Sequence, residues 1–191
     1  MKKLSLLLVA VFLVFATARS QELVFGKGNS AINLGIGFGS TILHGVGYKM
    51  GFPSISVTYE YGIVEIPMGS KLTGVVSAGG LLGYGGAKYE YSLWDNVSYN
   101  YNYFMFAARG NYHFIFHDKF DPYAGVLIGY YLLNGKWKGD GTYHDNWTAN
   151  SGAFRAGVYV GARWFFTPAI AVFSELGYGM SYFTIGGTFK F

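Results

Sequence analysis

The sequence predicts an all-β fold: an eight-stranded antiparallel up-and-down transmembrane β-barrel. Three observations support this prediction. Apolar residues alternate with small or polar ones along much of the chain, the pattern of strands with lipid on one face and a polar interior on the other. Aromatic residues make up 20% of the chain, whereas charged residues make up only 13%. An ordinary soluble domain is about 25% charged, so this composition favours a surface in contact with lipid.

The first twenty residues have the pattern of a secretory signal peptide. Lys2 and Lys3 supply the positive start, residues 4–15 are apolar, and small residues suitable for cleavage follow. The apolar run is shorter than the ~20 residues that a spanning helix needs. We therefore expect a signal peptide at 1–20 and a single barrel domain at 21–191.

The charge and the cysteine content argue against a nucleic-acid partner, disulfides and thiolate metal sites. The formal net charge is +4, but Lys2, Lys3 and Arg19 belong to the signal peptide. Without them 11 basic residues face 10 acidic ones, which does not favour a nucleic-acid partner. The absence of cysteine rules out disulfides and thiolate metal sites. We expect no metal and no cofactor.

Eight segments show the alternating pattern. Each is about ten residues long, which is enough for a tilted strand to cross a bilayer. The strands are predicted at 31–40, 54–63, 72–84, 101–114, 123–132, 154–166, 169–179 and 181–191. Long connections are predicted at 41–53, 85–100 and 133–152, and short ones near 115–121 and 166–169. In outer-membrane barrels the long loops are external and the short turns periplasmic.

Charged residues within the strands indicate which face points inward, because lipid would not accept them. In the last strand this rule places Phe183 and Ile185 outward, and Tyr182 and Thr184 inward. Many inward positions elsewhere are glycine. We expect these glycines to make room for large inward side chains, since an eight-stranded barrel has an interior just wide enough for side chains.

Six inward charges form the clearest candidate site. They are Glu60, Arg109, Arg155, Arg163, Glu175 and Lys190. One interpretation is an ion path or a salt-bridge switch, and the other is a packed polar interior. The narrow lumen favours the packed interior. Because a buried charge needs a partner, the two glutamates are expected to pair with arginines, in an order that the sequence leaves open.

The predicted external loops are rich in aromatic residues. Four of them are candidates for recognition of a glycan, a protein or a surface: Trp94, Trp137, Tyr143 and Trp147. Packing of the loops on one another would explain them equally well. The same loops hold His144, Asp140, Asp145 and Ser151, a candidate group for nucleophilic catalysis that loop polarity also explains. We therefore expect no enzyme.

The last strand ends on Phe189 and Phe191, and familiar stretches occur at 59–62, 109–114 and 121–125. Together with the signal-peptide pattern, these make the chain resemble the small eight-stranded bacterial outer-membrane barrels of the OmpA, OmpX and OmpW types, including the outer-membrane β-barrel domain family of Bacteroidota. The resemblance implies a porin-like protein of the Gram-negative cell envelope, located in the outer membrane. It also implies that the barrel-assembly machinery reads the C-terminal strand through the two phenylalanines.

The resemblance further implies contact with outer-membrane lipid and lipopolysaccharide, a monomeric state, and a structural or surface-interaction role with a lumen filled by polar and charged side chains. An alternative, which the OmpW resemblance allows, is a narrow transporter for small hydrophobic molecules. A lipid-modifying enzyme is less favoured. These alternatives stay open at this point, because an architecture does not determine a function.

Overall fold

The computed structural model describes residues 23–68, 72–90, 98–138 and 148–191. They form a closed antiparallel barrel in which each strand pairs with its neighbours in sequence and β8 pairs with β1. The strands are β1 Ser30–Ser40, β2 Tyr48–Pro67, β3 Thr73–Glu90, β4 Ser98–Ile115, β5 Phe120–Lys138, β6 Thr148–Phe165, β7 Ile170–Tyr178 and β8 Ser181–Lys190. The predicted fold class is confirmed.

The signal peptide predicted at 1–20 lies outside the described residues. Within the described ranges, no helix is long and apolar enough to cross a membrane.

The barrel wall is uneven in height. β2 to β6 are 18 to 20 residues long, whereas β1, β7 and β8 have 9 to 11 residues. The prediction of strands about ten residues long is therefore wrong for β2 to β6. These strands continue into the segments predicted as loops, with pairs as far out as Glu90 with Ser98 and Lys136 with Thr148. Polar and aromatic residues there interrupt the alternation, although the backbone pairing continues.

The short strands lower one side of the rim, which we call the low wall: the outer ends of β7, β8 and β1. β6 pairs with β7 only from Val158, opposite Tyr178, so its residues 148–157 extend beyond the low wall. β1 likewise pairs with β2 only as far as Gly37, opposite Ser54.

Two belts of aromatic side chains border an apolar band on the outer surface. On β6, Phe154 belongs to the outer belt and Trp164 to the belt at the short-turn end, with exposed Val158 and Val160 between them. Ten residues separate the two belts, about 33 Å along a strand. At the usual tilt of about 40° this corresponds to about 25 Å, the height of the apolar band of membrane barrels.

Tyr182 departs from the predicted alternation. Its side chain is 44% exposed and lies beside Tyr178, with ring centroids 6.1 Å apart. Ser181 points inward instead, because its hydroxyl lies 2.5 Å from the hydroxyl of Ser54. The inward and outward positions are offset at the start of β8, next to its tight connection with β7. From Thr184 onward, which faces inward, they agree with the prediction. The prediction that Tyr182 faces inward was wrong.

Candidate functional site: the barrel interior

Four buried charged side chains meet near the short-turn end and form what we call the lower cluster: Glu60, His113, Asp121 and Arg163. Arg163 donates to Glu60 through Nη2 and to Asp121 Oδ2 through Nη1, the latter at 3.1 Å. His113 places Nε2 2.5 Å from Glu60 Oε1 and Nδ1 2.7 Å from Asp121 Oδ1. Each side chain comes from a different strand, so the cluster ties β2, β4, β5 and β6 together.

The geometry of the lower cluster defines the protonation of His113. A carboxylate oxygen only accepts hydrogen bonds. Because both ring nitrogens face carboxylate oxygens, both donate, and the imidazole carries two protons. Two positive groups then face two negative ones, which offsets the cost of burying them.

A second ion pair, the upper pair, lies closer to the long-strand end. Arg109 on β4 places Nη2 2.5 Å from Glu175 Oε1 on β7, across the lumen. Tyr123 also donates to Glu175 Oε1, at 2.7 Å. Arg109 Nε donates to the hydroxyl of Tyr159 at 2.7 Å, and the guanidinium lies 4.2 Å from the centre of that ring. Every charge of the upper pair therefore has a partner of complementary character.

Neutral side chains connect the upper pair to the lower cluster. The hydroxyl of Tyr159 donates to Asn111 Oδ1, and Asn111 Nδ2 donates to Ser77 Oγ at 3.3 Å. Ser77 in turn donates to Glu60 Oε1 at 2.6 Å. Hydrogen bonds thus run without a break through the polar part of the lumen.

The structure brings together four of the six predicted inward charges and places the other two elsewhere. Arg155 lies at the low wall, where Nη2 donates to the carbonyl of Thr41 at 2.6 Å and the guanidinium lies 4.3 Å from the centre of the Tyr178 ring. It lies there because β7 ends at Tyr178, short of position 155 on β6. Lys190 lies at the short-turn end and donates to the carbonyl of Val24 at 3.0 Å.

An apolar plug closes the lumen below the lower cluster. Phe25, which precedes β1, is fully buried among Val75, Ile115 and Phe165. Its ring centroid lies 4.7 Å from that of His113. Sequence reasoning missed this plug. The available signal was an apolar pair at positions 24–25, directly before a glycine-rich turn.

A second apolar layer closes the lumen above the upper pair. Ile42, from the connection after β1, packs in one cluster with Met180, Leu81, Met105 and Leu127. A cavity of about 30 Å³ remains beside the upper pair, which is room for about one water molecule.

Small residues opposite the tyrosines make this packing possible. A Cβ atom at Gly161 would lie 2.6 Å from Cζ of Tyr123, and one at Gly125 would overlap the ring of Tyr159. Inward glycines therefore accommodate inward aromatic rings, as the sequence predicted. They do not widen the lumen into a channel.

Ser77, His113 and Asp121 have the spacing of a catalytic triad, with 3.1 Å from Ser77 Oγ to His113 Nε2 and 2.7 Å from Nδ1 to Asp121. The three side chains are completely buried, however. Ser77 donates to Glu60, and His113 Nε2 is occupied by the same carboxylate. No ring nitrogen is free to accept the serine proton.

The predicted loop candidates lie mostly outside the described residues. This applies to Trp94, Tyr143 and Trp147, and to Asp140, His144 and Asp145. Trp137 is described only through its backbone, which pairs with Tyr99, and Ser151 lies exposed on β6. Within the described ranges, no group of three histidine or acidic residues could hold a metal ion.

The predicted assembly residues lie together on the outer surface at the seam between β1 and β8. The rings of Phe189 and Phe191 stack with centroids 5.8 Å apart. Phe191 exchanges both backbone hydrogen bonds with Ser30, at 2.8 Å each.

Comparison with solved structures agrees with this geometry. The N-terminal β-barrel domain of Pseudomonas aeruginosa OprF is similar with a TM-score of 0.50 and 12% sequence identity, over 87% of this chain and all of that one. This likeness supports the fold, an eight-stranded antiparallel β-barrel. The Yersinia pestis attachment invasion locus protein Ail is similar with a TM-score of 0.47 and 11% identity, over 86% of this chain and 99% of that one. No protein-family model matches the sequence, and no curated protein matches it either.

Proposed function

We propose that this chain is an outer-membrane protein of the Gram-negative cell envelope with a structural or surface-interaction role and a lumen that does not conduct. The observation that carries the proposal is the filling of the lumen in successive layers. Phe25 closes the short-turn end, the lower cluster and upper pair occupy the middle, and Ile42 with Met180 closes the outer end. An eight-stranded barrel has room for little else.

The tall part of the wall supports the surface-interaction role. Above the apolar band, the inner face of β2, β3 and β4 carries Tyr48, Tyr89, Tyr99 and Tyr101. Successive rings are in contact: Tyr48 with Tyr89 at 4.9 Å, Tyr89 with Tyr99 at 6.5 Å, and Tyr99 with Tyr101 at 6.5 Å. Tyrosine supplies large contact area with few rotatable bonds and is enriched at recognition surfaces. We propose that this tyrosine group serves recognition together with the external loops.

The proposal includes location and assembly. The apolar band about 25 Å high supports a membrane-spanning barrel. The signal-peptide pattern supports export, and the aromatic end of β8 supports recognition by the barrel-assembly machinery. We further propose that the protein is a monomer surrounded by outer-membrane lipid and lipopolysaccharide.

The two other functions receive less support. A transporter for hydrophobic molecules needs an apolar path, whereas the described lumen holds a charged network and a cavity of about 30 Å³. A lipid-modifying enzyme needs a nucleophile that lipid can reach. Ser77 is sealed inside the barrel and bonded to Glu60, so we propose that the chain is not an enzyme.

Two measurements test the proposal. Fractionation should recover the protein with the outer membrane, with migration in SDS gels that changes on heating because the closed barrel resists SDS. Purified protein in a planar bilayer should give only rare, small current events. A folded protein in the soluble periplasmic fraction would reject the location, and a large steady conductance would reject the filled lumen and favour transport.

A further inference from the structure

We propose that the low wall binds a phosphate-bearing lipid of the outer leaflet, specifically the lipid A part of lipopolysaccharide, with a phosphate at Arg155 and an acyl chain in the groove below it. This inference rests on the proposed outer-membrane location. It assigns a role to Arg155, which forms no ion pair with the described residues, unlike the other two arginines predicted to face the lumen.

Arg155 is a cation without a carboxylate partner among the described residues. Arg109 and Arg163 both form ion pairs, whereas Arg155 bonds only to the carbonyl of Thr41 and lies on the ring of Tyr178. Its Nε is buried and has no hydrogen-bond partner within the described ranges, so an incoming phosphate would meet the Nη end of the guanidinium. A guanidinium held in place by a carbonyl and a ring suits the oxygens of a phosphate.

An apolar groove of about 840 Å³ runs down the outer surface below Arg155. Its walls include Val126, Val158, Val160, Leu176, Tyr178 and Tyr182, and its floor is lowered by Gly110 and Ala124. Four of the wall residues, Val126, Val158, Val160 and Leu176, are more than half exposed. Tyr178 connects the two parts of the site, because it lines the groove and its ring also carries the guanidinium of Arg155.

The low wall places these parts at the level of lipid headgroups. Arg155 directly follows Phe154 of the outer aromatic belt on β6, and aromatic rings in such belts mark the membrane interface. His44, which is exposed, places Nε2 3.4 Å from the hydroxyl of Tyr178 and adds a second nitrogen donor at the same edge. Elsewhere around the barrel, β2 to β6 extend past this level.

Charge complementarity selects the occupant. A single unpaired cation above a long apolar groove matches an amphiphile with an anionic head and acyl tails. A soluble anion would use Arg155 but leave the groove unfilled, and a protein segment would not need an apolar groove that continues to the membrane interior. At the long-strand end, which is external in such barrels, the abundant lipid of this kind carries phosphate on a glycan head.

The test uses purified, folded protein in neutral detergent, so that it does not depend on cellular location. Binding of lipid A is measured by native mass spectrometry, next to phosphatidylglycerol and inorganic phosphate. Arg155→Met should weaken lipid A binding at least tenfold. The matched control Lys119→Met removes an exposed cation at the short-turn end and should leave binding within twofold.

A second variant tests the groove without touching the arginine. Ala124→Leu fills the floor and should weaken lipid A binding, while binding of inorganic phosphate should stay unchanged. Heat-modifiable migration confirms that each variant is folded. Equal losses for Arg155→Met and Lys119→Met would overturn the site, since net charge would then explain them. Phosphatidylglycerol bound as tightly as lipid A would overturn the choice of lipid A, and no effect of Ala124→Leu would overturn the groove.

Discussion

Arg109 and Glu175 face each other across the lumen from strands three places apart in the barrel, with Nη2 and Oε1 separated by 2.5 Å. Their side chains are 4% and 13% exposed, so water screens the pair little. The two residues join opposite sides of the wall at the middle of the barrel. This arrangement makes them the best site for testing whether the lumen charges hold the structure together.

We expect Arg109→Met to destabilise the barrel by about 3–5 kcal/mol, because it leaves Glu175 buried without its cation. Adding Glu175→Gln should recover part of the lost stability. The control combines Arg109→Met with Glu60→Gln, which removes a carboxylate of the lower cluster instead. Urea unfolding of the barrels in lipid measures the free energy of unfolding of each variant. If Arg109 showed the same coupling free energy with Glu60 as with Glu175, the upper pair and the lower cluster would not be separate groups.

His113 should be as important as an arginine to the lower cluster. His113→Leu leaves Glu60 and Asp121 facing a single cation, and we expect a loss of stability of about 3–5 kcal/mol. Adding Asp121→Asn restores the balance of one positive and one negative group, and should recover part of the loss. If the single and double variants unfold at the same urea concentration, His113 does not act as a cation in the cluster.

The outward phase of β6 can be tested with a charge in the apolar band. Val158 is 62% exposed midway between the aromatic belts. Val158→Arg should cost about 2–4 kcal/mol in a lipid bilayer, as arginine does when it faces lipid near the midplane. Ser151→Arg, on the part of β6 that extends beyond the outer belt, is the control and should change stability little. If Ser151→Arg cost more stability than Val158→Arg, the position assigned to the membrane along β6 would be wrong.

Removing the plug should weaken the short-turn end. Phe25→Ala deletes a fully buried ring in contact with His113, and we expect a loss of about 3–5 kcal/mol. Val46→Ala is the control, since that side chain is completely exposed. Urea midpoints measure both. An unchanged midpoint for Phe25→Ala would show that the segment before β1 does not stabilise the barrel.

The sequence predicts the strands that cross the apolar band well, because there one face meets lipid and the other meets the packed lumen. Val158 and Tyr159 show this difference clearly, one being exposed and the other buried. The outer parts of β2 to β6 were missed because their faces do not differ in this way. Near Asn134 and Asn150, both faces of the strands meet polar surroundings. Apolar and polar residues therefore do not alternate along the sequence there.

Contacts within the lumen were less accessible to sequence reasoning. Inward charges could be recognised by strand phase, but Arg163 bonds to Glu60 and Arg109 to Glu175 because of the stagger of the strands around the ring, which no local pattern encodes. His113 and Asp121 gave no sign of their roles for the same reason. Arg155 has the inward phase of its strand, yet the length of β7 decides its surroundings.

The exchange of both backbone hydrogen bonds between Ser30 and Phe191 has a consequence for biogenesis. The first and last strands of the barrel are neighbours, so the sheet cannot close until both β1 and β8 have arrived. During that interval the unpaired backbones of both strands can pair with other chains and start aggregation. A chaperone that shields these two edges would therefore contribute more to the yield of folded protein than one that shields the strands in the middle of the sequence.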